Sequence, residues 1–386
     1  MTRKHFHLLK TSGHARAGEL DTPHGKVLTP VFLPVGSQAT VRTLTPDEIK
    51  EAGFNMILAN TYHLYLRPGI EIIQKLGGVH RFMAWDGAIL TDSGGYQLFS
   101  LAPFCKINDE GVKFRSHVDG SEHFLTPELA VQYQESLGAD IIMVLDVCSA
   151  SGDSKEKVHR AMERTHRWAE RCLKAKTKAD LSLYAIVQGG MYPELRKQSA
   201  KYLTNLDFPG YGIGGLSVGE PKDLTLAMVE LTTTLLPENK PRYLMGVGAP
   251  EDIIESVARG IDIFDCALPT RVARNGALLT RKGRVNMRRA IYAKTDRPIE
   301  ASCDCFTCRN FSAAYLSHLF RSEELLALRL ATIHNLRFIV NLMRDIRNSI
   351  LTDSLEDFQA DFMSGYQTTN EKTRIDQKQR WLKKRT

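Results

Sequence analysis

Eight short apolar runs punctuate the first two-thirds of the chain, each closing on a glycine, a proline or a polar residue. They are Val31-Phe32-Leu33, Met56-Ile57-Leu58-Ala59, Ala88-Ile89-Leu90, Ile141-Ile142-Met143-Val144-Leu145, Leu183-Tyr184-Ala185-Ile186-Val187, Tyr211-Gly212-Ile213, Tyr243-Leu244-Met245 and Ile261-Asp262-Ile263-Phe264. Runs without polar alternation suit strands buried on both faces of a parallel sheet. Helix signals fall between them. Thr45-Pro46-Asp47-Glu48 reads as a capping box with proline at the first helical position. Thr126-Pro127-Glu128 opens a second helix, Lys155 to Lys176 is a long amphipathic one, and Ala249 to Ala258 leads into the last run. Eight β-then-α units over roughly 235 residues predict an α/β fold, a (β/α)₈ TIM barrel. A doubly wound sheet is the alternative, because eight runs do not prove closure.

In a barrel, the residues that end the strands share one mouth, where barrel enzymes keep their chemistry. Reading them off gives Asn60, Asp92, Asp146, Gln188, Gly214, Gly215, Gly246 and Asp265. A lone strand-end aspartate is usually a loop cap. Three of them with Gln188 make a site. Asp262 lies inside its run, where strand alternation turns it away from the side holding Ile261 and Ile263.

Composition excludes little: 43% hydrophobic and 25% charged residues are ordinary for a globular protein. No apolar run in the sequence approaches the ~20 residues needed to cross a bilayer, and the N-terminus lacks a signal-peptide core. A cytoplasmic location is expected, with the seven cysteines as thiols or metal ligands. The net charge is +7, and residues 371–386 hold seven basic against two acidic residues. That basic tail is either a solvated end or a polyanion contact.

Cys303, Cys305 and Cys308 fall within six residues, and His334 follows on a segment that is helical in pattern from Asn310 to Leu330. Together they make a tetrahedral Cys₃His set for one zinc ion (Zn2+). Four protein ligands leave no open position, so the zinc is expected to be structural. The expected organisation is a catalytic barrel over 1–290, a zinc-binding subdomain over 291–345, a C-terminal helix closing the barrel over 346–370, and the tail. Cys105, Cys148, Cys172 and Cys266 have no ligand spacing and read as packed thiols.

Five segments then carry a resemblance: Asn60-Thr61-Tyr62-His63-Leu64, Thr91-Asp92-Ser93-Gly94-Gly95-Tyr96-Gln97, Gly214 to Glu220, Asp265-Cys266-Ala267-Leu268-Pro269-Thr270-Arg271, and the Cys₃His set. With them the chain, from about Lys26 to about Tyr366, resembles the bacterial-type tRNA-guanine transglycosylases. The resemblance implies a glycosyltransferase of queuosine biosynthesis. Such an enzyme exchanges guanine at the wobble position of GUN-anticodon tRNAs (for Asp, Asn, His and Tyr) for 7-aminomethyl-7-deazaguanine. It implies Asp265 as the nucleophile and Asp92 as the general acid and base. A guanine edge offers N1–H and an amino group, which suit Asp146, and an O6, which suits the Gln188 amide and the Gly215 N–H. By resemblance Tyr96 and Met245 clamp the base, and Arg271 and Arg274 contact flanking nucleotides of the tRNA anticodon stem-loop.

The 7-substituent is expected to point towards Leu216 to Glu220. Glu220 orients the backbone there so that the Leu216 carbonyl accepts from an ammonium, while Val218 and Cys148 close the space beyond. Queuine-using relatives typically have glycine at the position of Val218. Val147 stands where bacterial members carry glutamate, and Ala249 where a lysine is frequent. The resemblance further implies a homodimer through the face near Phe311, Tyr315 and His318, and an association with tRNA but no membrane. Two other classes compete. A barrel glycoside hydrolase also uses two mouth carboxylates, but only three tryptophans are available for sugar stacking. A non-catalytic tRNA-binding partner subunit has no need of both Asp92 and Asp265.

Overall fold

The computed structural model describes residues 5–101, 105–371 and 376; the expected basic tail otherwise lies outside the described residues. Its centre is a ring of parallel strands. In spatial order these are Val31–Leu33, Ile263–Asp265, Arg242–Leu244, Tyr211–Ile213, Ser182–Val187, Ile141–Met143, Ala88–Asp92, Met56–Asn60 and Val35–Gly36. The two end segments are one stretch of chain interrupted by Pro34. Val31–Leu33 pairs with the last strand and Val35–Gly36 with the second, so the eight positions close into a barrel. Proline has no N–H for the ladder and breaks the strand there, while its carbonyl still accepts from Leu58 N at 3.1 Å. Closure excludes the doubly wound alternative.

Every residue of Met56–Asn60, Ala88–Asp92 and Ser182–Val187 is buried, as runs covered on both faces require. The helix signals act as read: Thr45 and Glu48 cap reciprocally, and Thr126 and Ser154 cap the helices Pro127–Leu137 and Lys155–Ala175.

The end opposite the mouth is covered by an antiparallel sheet of Phe6–Ser12, Ala15–Thr22 and Gly25–Thr29. Asp262 belongs to this end. It precedes the strand Ile263–Asp265 instead of lying within it, and its carboxylate is fully buried. Arg242 N donates to it at 2.8 Å, and the Arg16 guanidinium lies 3.2 Å away. The two aspartates of one apolar run thus serve opposite ends of the barrel, three residues apart, about 10 Å along a strand.

Asp140 is a comparable anchor just ahead of the strand Ile141–Met143. It holds His24 Nδ1 at 2.7 Å, His80 Nε2 at 3.3 Å and Ile89 N at 2.7 Å. These three side chains are close enough to share a cation. Two observations favour a hydrogen-bonded clamp instead. The imidazoles stack at 3.6 Å and 15°, so a metal cannot lie in both ring planes, and His80 Nε2 also meets the Gly87 carbonyl at 3.1 Å, which calls for an N–H.

Beyond the barrel come the hairpin Ala277–Thr280/Gly283–Asn286, the helices Phe306–Asn310 and Ala313–Arg321, and the long helix Leu325–Leu351. The segment read as helical in pattern from Asn310 to Leu330 is broken at residues 311–312 and again at 322–324, where Glu323 has φ 57°. Leu325–Leu351 is long and apolar enough to cross a membrane by length and composition. Its role here is internal: it carries His334 and Asn335 fully buried against the barrel, and it continues past residue 345 to contact Leu355–Gly365.

Candidate active site and metal centre

Asn60, Asp92 and Asp265 are the last residues of their strands, with Asn60 opposite Asp92 and Asp265 opposite Leu33 in register. Strand pairing alone therefore sets their height at the mouth.

Asp92 is almost completely buried. Its Oδ2 accepts from Asn60 Nδ2 at 2.5 Å and Gln97 Nε2 at 2.7 Å, and its Oδ1 from Thr61 N at 2.9 Å. Burial nonetheless outweighs these donors and pushes its carboxyl up to about 6, with the nearby Asp265 charge adding to the rise. A carboxyl group poised there can give and take a proton near neutrality.

Asp265 is held differently. Tyr243 Oη donates to its Oδ1 at 2.6 Å and Gly246 N to the same atom at 2.9 Å. Both donors bind Oδ1, and Oδ2 receives neither. Burial raises this carboxyl too, opposed by the Tyr243 hydrogen bond.

Asp146 and Gln188 meet directly, Gln188 Nε2 donating to Asp146 Oδ2 at 2.7 Å. Burial pushes Asp146 up to about 6 against that bond. Glycines make the approach possible. A Cβ on Gly95 would lie 2.7 Å from an Asp146 oxygen, and one on Gly215, whose φ is +66°, would lie 2.5 Å from Gln188 Oε1. That Oε1 is buried with no hydrogen-bond partner among the described residues.

The Gly214-to-Glu220 segment folds around Glu220, which is 3% exposed. Its carboxylate accepts from Ser217 N, from Val218 N at 2.9 Å and from Thr225 Oγ1 at 2.7 Å. Ser217 is held at φ 56°, a left-handed conformation that the two backbone bonds to Glu220 fix. Leu216, Val218 and Cys148 are all buried. Tyr96 enters on the helix Gly95–Leu101 and Met245 directly follows its strand; both are half-buried. Arg271 and Arg274 share the short helix Leu268–Arg274 after Asp265. Arg274 is half-buried with Nη1 unpartnered among the described residues, and burial lowers its pKa. Val147 packs in the core with its N–H on Thr165 Oγ1 at 3.0 Å, and Ala249 caps the helix Pro250–Ala258.

Several supporting residues were invisible in the sequence. Gln97 and Tyr243 hold the two carboxylates. Arg196, fully buried, ties the strand-end loops together by donating to the carbonyls of Gly190, Val187 and Gly214 at 2.9, 3.3 and 2.9 Å. Gln97 lies within the Thr91-to-Gln97 motif, which was the available signal. Nothing in the sequence marked Arg196, whose helix carries other basic residues.

At the second centre, Cys303, Cys305, Cys308 and His334 offer four donor atoms within 4.8 Å of one another. His334 Nδ1 lies 3.7, 3.6 and 3.3 Å from the three sulfurs, while its Nε2 donates to the Leu279 carbonyl at 2.8 Å. That outer bond fixes the tautomer that leaves Nδ1 free to ligate. The group is buried and suited to a structural metal.

Comparison with known proteins identifies a family. The family model described as Queuine tRNA-ribosyltransferase matches residues 11–368. A protein of that name from Dehalococcoides mccartyi is 64% identical over 381 residues, 98% of this chain and 97% of its own length. Those of Herpetosiphon aurantiacus and Moorella thermoacetica are each 57% identical, covering 94% and 91% of this chain and 93% and 94% of their own. The chain belongs to the queuine tRNA-ribosyltransferase family.

Proposed function

We propose that the protein is a tRNA-guanine transglycosylase of queuosine synthesis, in which Asp265 attacks the ribose and Asp92 moves the protons. The observation that carries this reading is the unequal treatment of two neighbouring carboxylates. One has a single oxygen clamped by two donors, and the other is shifted to about 6.

Asp265 Oδ2 attacks C1′ as the C1′–N9 bond breaks, trapping oxocarbenium character as a covalent ester. Asp92 gives the departing guanine its proton. After guanine leaves, the incoming base loses a proton to Asp92, and its N9 displaces Asp265 from C1′. Two inversions return the original configuration. The Asp146–Gln188 bond opens for the base: the carboxylate accepts from N1–H and the amino group, and the freed amide with Gly215 N–H donates to O6. Tyr96 and Met245 flank the ring, and Arg271 and Arg274 hold adjacent phosphates. An exposed base is required, so guanine leaves the anticodon stack.

The incoming base is 7-aminomethyl-7-deazaguanine in this reading, its ammonium meeting the Leu216 carbonyl while Val218 and Cys148 exclude a larger substituent. The Cys₃His group holds zinc. A tetrahedral site with Zn–S near 2.3 Å and Zn–N near 2.0–2.1 Å separates sulfur from nitrogen by about 3.6 Å, close to the 3.3–3.7 Å spacings. Cys303, Cys305, Cys308 and His334 would hold this ion, tying the Cys303–Cys308 turn to the helix Leu325–Leu351, and four protein ligands would leave it a structural role. The aromatic face of exposed Phe306 and Tyr315 with half-buried Phe311 between them, rings 5.9 and 5.2 Å apart, supports a homodimer contact beside His318. Incubation of the purified chain with tRNA and labelled guanine, without ATP, tests the function. Incorporation that Asp265→Asn abolishes is expected; no incorporation by the wild type refutes it.

A further inference from the structure

Arg196 keeps a permanent charge in the interior beside the base pocket, and tying loops together does not account for it. It lies on the helix Pro193–Thr204 and is 0% exposed. Among the described residues its hydrogen bonds all go to main-chain carbonyls: Nε to Gly190 and Nη2 to Gly214 at 2.9 Å, and Nη1 to Val187 at 3.3 Å. Burial lowers its pKa to about 10, so it stays protonated at neutral pH, with the Glu220 charge in its favour. Burying a cation on carbonyls alone carries a heavy desolvation penalty. A neutral amide could join the same carbonyls at a smaller one.

One of these bonds reaches the site. The Gly214 carbonyl and the Gly215 N–H belong to a single planar amide. A guanidinium on that oxygen draws electron density from the nitrogen and makes its N–H a stronger donor. Gly215 N has no acceptor among the described residues. A Cβ on Gly215 would lie 2.5 Å from Gln188 Oε1 and 3.8 Å from Arg196 Nη2, so the residue lies against both the Gln188 amide and the guanidinium. The Val187 carbonyl that Arg196 Nη1 meets also accepts from Gly214 N at 3.0 Å. Arg196 thus fixes Gly214 through its own carbonyl and through the acceptor of its N–H.

Base exchange needs such a donor. As the Asp265 Oδ2–C1′ bond forms and C1′–N9 breaks, the electron pair of the broken bond stays on the base. The ring shares it with O6 until the proton from Asp92 neutralises it. In the second half the incoming base gives a proton to Asp92, the pair left on N9 forms the new bond to C1′, and the ester pair returns to Asp265. Negative charge reaches O6 in both halves.

We propose that Arg196 is a positioning residue of the exchange, acting through the Gly214–Gly215 amide to stabilise the charge that develops on base O6. This rests on the transglycosylase reading, in which Gly215 N–H meets O6. Donors preorganised towards a developing oxyanion rank among the largest contributions to catalysis.

The test compares wild type with Arg196→Gln, which keeps an amide donor but no charge, and Arg196→Lys, which keeps the charge without the planar fork. Each incorporates labelled guanine or 6-thioguanine into tRNA. The thio base keeps N1–H and the amino group but presents sulfur, a weaker acceptor, in place of O6. Melting temperature and Kd for tRNA are measured alongside. Arg196→Gln is expected to lower kcat for guanine about thirtyfold, short of the ~10²–10³ that follows outright loss of an oxyanion donor. Arg196→Lys should fall between it and the wild type, and Kd for tRNA should not change. The preference for guanine over 6-thioguanine, taken as the ratio of kcat/KM values, should drop about tenfold in Arg196→Gln, because the lost charge matters most to the stronger acceptor. A purely structural staple would slow both bases alike. Equal losses on the two bases, or an unchanged kcat, overturn the proposal. Should Arg196→Gln not fold, Arg196→Lys carries the test: a drop in preference of about threefold supports the role and none overturns it. A wild type that incorporates neither base refutes the transglycosylase reading and this role with it; normal exchange with an unchanged preference in the variants refutes this role alone.

Discussion

Asp92→Asn is expected to make the protein inactive and, at neutral pH, more stable. In the folded chain burial pushes Asp92 up to about 6 from an ordinary value of 3.8. The sign follows from proton counts. Between these values the folded state holds a proton that the unfolded state has released, so stability falls as pH rises through this window. Below pH ~3.8 nothing is lost. Above ~6 the full cost is reached, about two pKa units at 1.36 kcal/mol each, or ~3 kcal/mol. Asparagine carries no charge and escapes that cost. The Gln97 donor can adapt, since its Oε1 is buried without a partner among the described residues and an amide flip presents it to the new Nδ2, provided that Asn60 Nδ2, which donates to the same position, turns as well. Urea unfolding of both proteins from pH 4 to pH 8 is the assay. The stability gain of the variant should grow from near zero at pH 4 to about 3 kcal/mol at pH 7.5, while guanine exchange disappears. A difference independent of pH, or a variant less stable at pH 7.5, would refute the claim that burial dominates at Asp92.

Tyr243→Phe removes one of two donors from Asp265 Oδ1 and should lower kcat for guanine exchange about tenfold to a hundredfold with little change in KM for tRNA; an unchanged kcat counts against the clamp. Cys305→Ala should lose one equivalent of zinc by elemental analysis and lower the melting temperature, because such sites couple metal affinity to folding; a stable, metal-free, fully active variant sinks the structural role. Val218→Gly should relax the pocket towards queuine in competition with 7-aminomethyl-7-deazaguanine for incorporation; equal use of both bases by the wild type would show that Val218 excludes nothing.

Much of this protein is written locally. Apolar runs such as Met56 to Ala59 and Leu183 to Val187 suit strands covered on both faces, and their repetition with intervening helix caps points to a barrel. Only the pairing of Val31–Leu33 and Val35–Gly36 with opposite ends of the strand order shows that the sheet closes. A barrel in turn puts every strand end at one mouth, so Asp92, Asp146, Gln188 and Asp265 were legible as a group without any knowledge of their contacts. The three closely spaced cysteines and a distant histidine were equally readable, since thiolate and imidazole donors at that spacing have one common use. Tertiary structure decided what depends on packing between segments distant in the chain. Asp262 and Asp265 look alike in sequence, but three residues of strand separate the Arg16-lined base from the mouth. The pKa of Asp92 comes from desolvation by neighbours drawn from several strands, and the clamp on Asp265 from Tyr243 one strand away. Arg196 becomes a staple only where three carbonyls from two strand-end segments, Val187 and Gly190 of one and Gly214 of the next, converge on its guanidinium. Periodicity and spacing are properties of a chain; burial and convergent hydrogen bonds exist only once its distant parts have met.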